Sequence, residues 1–167
     1  MSEVYLGNPN LKKANTPIEF TKENIQEFLR CKDDPVYFAN NHIKIVSLDD
    51  GLVPFKQYPF QKKLIENFHE HRFNICKMPR QTGKSTTSVS YLLHYAVFND
   101  STNIGILANK AATARDLLGR LQTAYENLPK WMQQGIISWN KGSLELENGS
   151  KILAASTSAS AVRGMSF

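Results

Sequence analysis

Met78-Pro79-Arg80-Gln81-Thr82-Gly83-Lys84-Ser85 constrains the fold of this chain more than any other stretch. It meets the phosphate-binding pattern G-x-x-x-x-G-K-[ST] everywhere but the first position, where Met78 stands for glycine. Such a loop wraps the phosphates of a nucleoside triphosphate in backbone N–H groups, and its lysine offsets their charge. The flanking residues suit it. Phe73 to Met78 alternates in apolar character as a strand does, and Pro79 cannot donate to a ladder and so ends that strand. From Ser85 the pattern turns helical, with Val89, Leu92, Leu93, Ala96 and Val97 on one face. Strand, loop and helix in this order place a helix N-terminus under an anion.

Within that reading, Lys84 contacts the β- and γ-phosphates and the Ser85 hydroxyl serves Mg²⁺. Backbone at Gln81, Thr82, Gly83 and Thr86 completes the expected ATP cradle. Arg80 has two readings: it reaches the γ-phosphate as an arginine finger does, or it pairs with a carboxylate or solvent. Upstream, Tyr58-Pro59-Phe60-Gln61 opens a helix with Phe60, Leu64, Ile65 and Phe68 as its apolar stripe. Gln61 carries both donor and acceptor and can read an adenine edge, on which Phe60 can stack. The plainer alternative makes Phe60 a core residue and Gln61 a surface one.

Several segments in order resemble one family: Asp34-Pro35-Val36-Tyr37-Phe38, Phe60-Gln61, Arg80 to Ser85, Gly105 to Lys110, Trp139 to Ser143 and Ala161-Val162-Arg163-Gly164. Together they resemble the N-terminal ATPase domain of the large terminase subunit of tailed phages, the T-even-like kind, from about residue 17 to Phe167. The resemblance implies an ATP-driven motor that packs DNA into a capsid, followed in the family by a nuclease domain with an RNase H-like fold. It implies catalytic roles for Arg80, Lys84 and Arg163, the last presented to the nucleotide of a neighbouring subunit in a ring. It places Phe60 and Gln61 at the adenine and implies ATP and Mg²⁺ as cofactors. The implied partners are double-stranded DNA, the portal protein, the small terminase subunit and further copies of the chain, in the host cytoplasm. Two alternatives stand beside it: a P-loop helicase or translocase, since helicases also carry a glutamine upstream of G-K-[ST], and a non-catalytic half of a split terminase that works only when complemented.

The expected fold is α/β: a P-loop NTPase core of the ASCE type with a mainly parallel sheet, preceded by a small helical lid subdomain. Residues 1–16, polar and rich in turn signals, are expected to form a mobile arm, 17–58 the lid, and 59–167 the ATPase core. Thr21 caps a first helix with Ile25, Phe28 and Leu29 inward, and Asp34-Pro35 starts a second. Asn103 to Ala108 reads as a buried parallel strand. The helix after it carries Ala114, Leu117, Leu118, Leu121, Tyr125 and Leu128, with Pro129 closing it. Asn148-Gly149 predicts a type I′ hairpin turn. In the resembling family an apolar strand ending in paired acids follows Val-Arg-Gly. The chain is therefore expected to be incomplete at its C-terminus, before the Walker B strand, and to hydrolyse ATP at background alone. Glu145 and Glu147 are not expected to substitute.

Composition adds exclusions. Hydrophobic and charged fractions of 41% and 21% are ordinary for a globular protein. The net charge of +5 is compatible with nucleic acid without establishing it. No apolar run is long enough to span a membrane, and no signal peptide is indicated. Cys31 and Cys76 make no metal pattern, Cys76 reading as a buried thiol on the central strand, and His69-x-His71 points its rings apart on a helix.

Overall fold

The structure, a computed structural model, describes residues 3–47 and 49–157. Among the described residues, five α-helices accompany two sheets: α1 (Lys22–Asp33), α2 (Pro35–His42), α3 (Pro59–Glu70), α4 (Lys84–Phe98) and α5 (Ala111–Glu126). Strands β1 (Lys44–Ser47) and β2 (Gly51–Pro54) form an antiparallel hairpin. Strands β3 (Asn103–Ala108), β4 (Ile136–Trp139), β5 (Ser143–Leu146) and β6 (Lys151–Ser156) make a second sheet in the order β3-β6-β5-β4. The fold is α/β, as expected. Among the described residues no helix is long and apolar enough to cross a membrane.

The helix starts follow from their caps. Thr21 accepts from the Asn24 N–H while the Asn24 side chain accepts from the Thr21 N–H, a reciprocal cap. Asp34 accepts from the Tyr37 N–H, with Pro35 in the first turn, where a missing N–H costs nothing. The inward face of α1 differs from expectation. Ile25 and Leu29 are exposed, whereas Cys31 is fully buried and Phe28 meets Phe98 edge-on at 4.9 Å. The chain turns sharply from α1 into α2, so the stripe that faces the core is the one that meets α2 and α4.

The second sheet is mixed rather than mainly parallel. Only β3 and β6 run parallel; β6–β5 and β5–β4 are antiparallel. The reason is connection length: β4, β5 and β6 are joined by tight turns, which permit only antiparallel neighbours, while α5 and more lie between β3 and β6. β3 is not buried on both faces. Ile104 and Ile106 are buried, while Gly105 and Leu107 on the other face are exposed. Helix α5 lies against β3 and β6, α4 packs on α5, and α2 and α3 pack on α4. The core runs through these layers, with Leu93, Leu118, Leu121, Tyr125 and Ile152 nearly or fully buried.

The β5–β6 turn is not type I′. Gly149 has φ +83°, but Asn148 is not among the residues of positive φ. The Gly149 N–H bonds the Leu146 carbonyl at 3.0 Å, giving an ordinary turn followed by a left-handed glycine. Asn148 instead donates its side-chain amide to the carbonyls of Ala96 and Asn99, tying the turn to the end of α4.

Residues 3–16, expected as a mobile arm, are docked. Leu11 is buried. Lys12 and Ala14 exchange backbone bonds with Ile136, and Lys12 pairs with Glu147 at 3.1 Å. The Glu147 carboxylate also accepts from the Asn15 N–H at 2.8 Å. Buried Gln133 seals the join: its Oε1 accepts from the Lys12 N–H and its Nε2 donates to the Asn10 carbonyl. Turn-rich composition marks a lack of regular structure, and here side chains of the core supply the missing partners.

Candidate functional site

The phosphate-loop segment bends back on itself through two residues of positive φ, Gln81 at +61° and Gly83 at +76°. Gly83 is the N-cap of α4 and offers no side chain, so the N–H groups of the first helical turn meet no side-chain cap. The Gly83 carbonyl accepts from both the N–H and the hydroxyl of Thr87. Lys84 lies across the neck of the loop, its Nζ donating to the carbonyls of Met78 at 3.0 Å and Pro79 at 2.5 Å. The Thr82 hydroxyl donates to the Pro79 carbonyl at 3.0 Å. Ser85, Arg80 and Gln81 are exposed, and Thr86 is half-buried.

Gln61 joins this loop from α3. Its side chain is only 5% exposed. Its Oε1 accepts from the Tyr58 N–H at 2.9 Å, and its Nε2 donates to the Thr82 carbonyl at 3.2 Å. A Cβ on Gly83 would stand 2.5 Å from that Nε2. The loop therefore closes against the amide only because residue 83 is glycine. Gln61 is thus a buried residue pinning the loop, not the surface glutamine of the plainer reading. Phe60 is exposed and stacks on exposed Tyr58, with centroids 5.7 Å apart and planes within 6°. It is not a core residue. Phe60, Lys63, Leu64 and Asn67 face residues 74–78 across a groove of about 370 Å³.

The stretch Phe73–Met78 corrects the sequence expectation. It joins no strand among the described residues; Phe73 is 83% and Ile75 100% exposed, and Cys76 is exposed. Apolar alternation reports what a strand would bury, but a ladder also needs a neighbour, and this stretch pairs with none among the described residues although β3 stands at the edge of its sheet. Arg163, with Val162 and Gly164, lies outside the described residues. The structure brings Gln61, Thr82, Gly83 and Lys84 together, with Phe60 at the rim.

A second cluster escaped the sequence reading. Glu27 and Cys31 lie one turn apart on α1, and His42 at the end of α2 comes back to them. Hydrogen bonding from His42, opposed by partial burial, holds the Glu27 carboxyl below its ordinary range. Burial first, then the Glu27 carboxylate, pushes the Cys31 thiol up to about 12. The i, i+4 spacing of Glu27 and Cys31 was the visible signal; the return of His42 was not.

The family model described as terminase large subunit, T4likevirus-type, N-terminal, matches residues 75–167, more than half of the chain. The match takes in the phosphate loop, α4, α5 and the whole second sheet. The chain belongs to the family of T4likevirus-type terminase large subunits, through their N-terminal region.

Proposed function

We propose that this chain is the nucleotide-binding part of a phage DNA-packaging motor, in which ATP hydrolysis drives double-stranded DNA into the capsid. The observation that carries the reading is the loop itself. An uncapped helix N-terminus, a glycine in left-handed conformation and Lys84 at the neck form one cradle. The residues fit a nucleoside triphosphate with Mg²⁺. The first-turn N–H groups of α4 favour phosphate oxygens, Lys84 exchanges its two carbonyls for phosphate, and exposed Ser85 offers its hydroxyl to the metal. Mg²⁺, when bound, neutralises charge on the phosphates. Arg80, on the exposed side of the loop, is the residue of this chain that can follow the γ-phosphate. Gln61 holds the loop through its bonds to Tyr58 and Thr82, and its amide, which can both donate and accept, is the group that reads the adenine edge. Exposed Phe60 supplies the stacking face. Arg163 acts on the nucleotide of an adjacent copy in a ring, and the portal protein and small terminase subunit are the further partners.

The 167-residue chain binds ATP but turns it over at background. The acids on the sheet are committed elsewhere: Glu145 to Lys151 at 2.9 Å, Glu147 to Lys12 and the Asn15 N–H. Water activation needs a group free for it. The test is DNA-stimulated ATP turnover by a large subunit containing this chain, with and without Lys84→Ala. Turnover that requires Lys84, without strand separation, is expected. Duplex unwinding by the same protein would assign it to the helicase class, and robust turnover by the 167-residue chain would refute its dependence on other residues.

A further inference from the structure

Away from the phosphate loop, Glu27, Cys31 and His42 bring three different metal-type donors to one point. Oε1 of Glu27 stands 2.7 Å from Nε2 of His42 and 3.7 Å from Sγ of Cys31. All three ligand atoms lie within 4.8 Å of one another. Cys31 is fully buried, and the side chains of His42 and Glu27 are 14% and 28% exposed. One carboxylate oxygen therefore faces both a thiol and an imidazole nitrogen. A divalent cation seated between them would replace the protons that now hold the three groups together.

We infer that Glu27, Cys31 and His42 form a site for one zinc ion, with solvent at the fourth position. Thiolate, imidazole and carboxylate together suit zinc rather than magnesium or calcium, which take oxygen ligands. With typical zinc–ligand lengths and tetrahedral angles, sulfur sits roughly 3.5 Å from both oxygen and nitrogen, and nitrogen roughly 3.3 Å from oxygen. The sulfur–oxygen spacing of 3.7 Å is nearly met, whereas the imidazole must draw back from the oxygen by about 0.6 Å while its nitrogen and the sulfur, within 4.8 Å of each other, settle at roughly 3.5 Å. Binding releases the thiol proton to solvent and leaves the imidazole neutral, with its remaining proton on Nδ1.

The surroundings hold the donors in place. The Tyr37 hydroxyl donates to Oε2 of Glu27 at 3.2 Å, which fixes the carboxylate and leaves Oε1 toward the site. Phe38 stacks on the His42 ring at 6.2 Å, and Trp131 meets it edge-on at 6.2 Å. The Cys31 carbonyl accepts from Nε2 of His94 on α4, at 2.8 Å. The zinc would clip α1 to α2 while α1 is bonded to the helix that begins in the phosphate loop.

Cys31 and Cys76 are the two cysteines of the chain, so a Cys76→Ser background leaves one thiol. That protein, reduced and stripped of metal, is titrated with Co²⁺ and then Zn²⁺. The expected result is one equivalent bound, a thiolate-to-cobalt absorption bleached by one equivalent of zinc, and a melting temperature that rises with zinc. Cys31→Ser abolishes the absorption. His42→Gln lowers zinc affinity at least tenfold, and Tyr37→Phe, acting through Glu27, by about tenfold. No uptake, or uptake without the thiolate absorption, overturns the proposal with no need for a ligand variant to fold. Unchanged affinity in His42→Gln overturns it as well.

Discussion

Replacing Gly83 with alanine tests the contact between α3 and the phosphate loop. Residue 83 has φ +76°, and holding alanine there costs about 1–2 kcal/mol. The new Cβ would lie 2.5 Å from Nε2 of Gln61. That nitrogen ends a flexible side chain, so the clash is relieved by moving the amide, and the Thr82 bond is lost. One such bond contributes about 0.5–1.5 kcal/mol. The sum is about 1.5–3.5 kcal/mol, or roughly 3–14 °C in melting temperature for a chain of this size. The assay is urea or thermal unfolding followed by circular dichroism, run as a double-mutant cycle with Gln61→Ala. In the Gln61→Ala background the amide is already gone, so Gly83→Ala should cost only the backbone component, about 1 kcal/mol less than in the parent. Equal losses in both backgrounds would refute the claim that Gln61 and Gly83 act as one unit.

Two further predictions concern the docked N-terminal segment. A Cβ on Gly135 would meet Cα of Ala14 and Oε2 of Glu147, each at 2.5 Å. Because backbone cannot step aside cheaply, Gly135→Ala should cost about 1–3 kcal/mol and speed amide exchange at Lys12 and Ala14; unchanged exchange would contradict the docking. At Glu147, burial alone would raise the carboxyl, but the backbone at Asn15 and Gly135 and the Lys12 ammonium outweigh it, so the net shift is downward. A carboxyl lowered in the folded state adds stability that is present above the ordinary value of 4.5 and is lost as the pH falls through the lowered one. Glu147→Gln should therefore flatten the acid limb of the stability curve while leaving its shape near neutral pH unchanged; an equally steep acid limb would count against the pair.

What the sequence made legible was local. Thr21, Asp34-Pro35 and the periodicity of α5 each act within a few residues, and the structure carries all three as expected. The Gly83-Lys84 junction is likewise local, and α4 begins there. What was illegible depended on partners distant in sequence. Phe73–Met78 has the composition of a strand, but pairing is a property of two segments, and composition carries no information on whether a partner edge is met. Ile25 and Leu29 have the right spacing for a core face, yet the turn into α2 aims a different stripe of α1 inward. Gln61 is a lone polar residue whose partner is a carbonyl twenty-one residues away. The Glu27–Cys31–His42 cluster needs the same long-range information, since only the return of α2 over α1 assembles it.

Titration of the chain with ATP and Mg²⁺, followed by backbone and side-chain amide shifts, tests most directly whether the loop at Gln81–Thr87 is a phosphate site gripped by Gln61. Saturable shifts at residues 81–87 and at the Gln61 side-chain amide, weakened at least tenfold by Lys84→Ala, are the predicted result. Binding that leaves those amides still, or that survives Lys84→Ala with unchanged affinity, would contradict it.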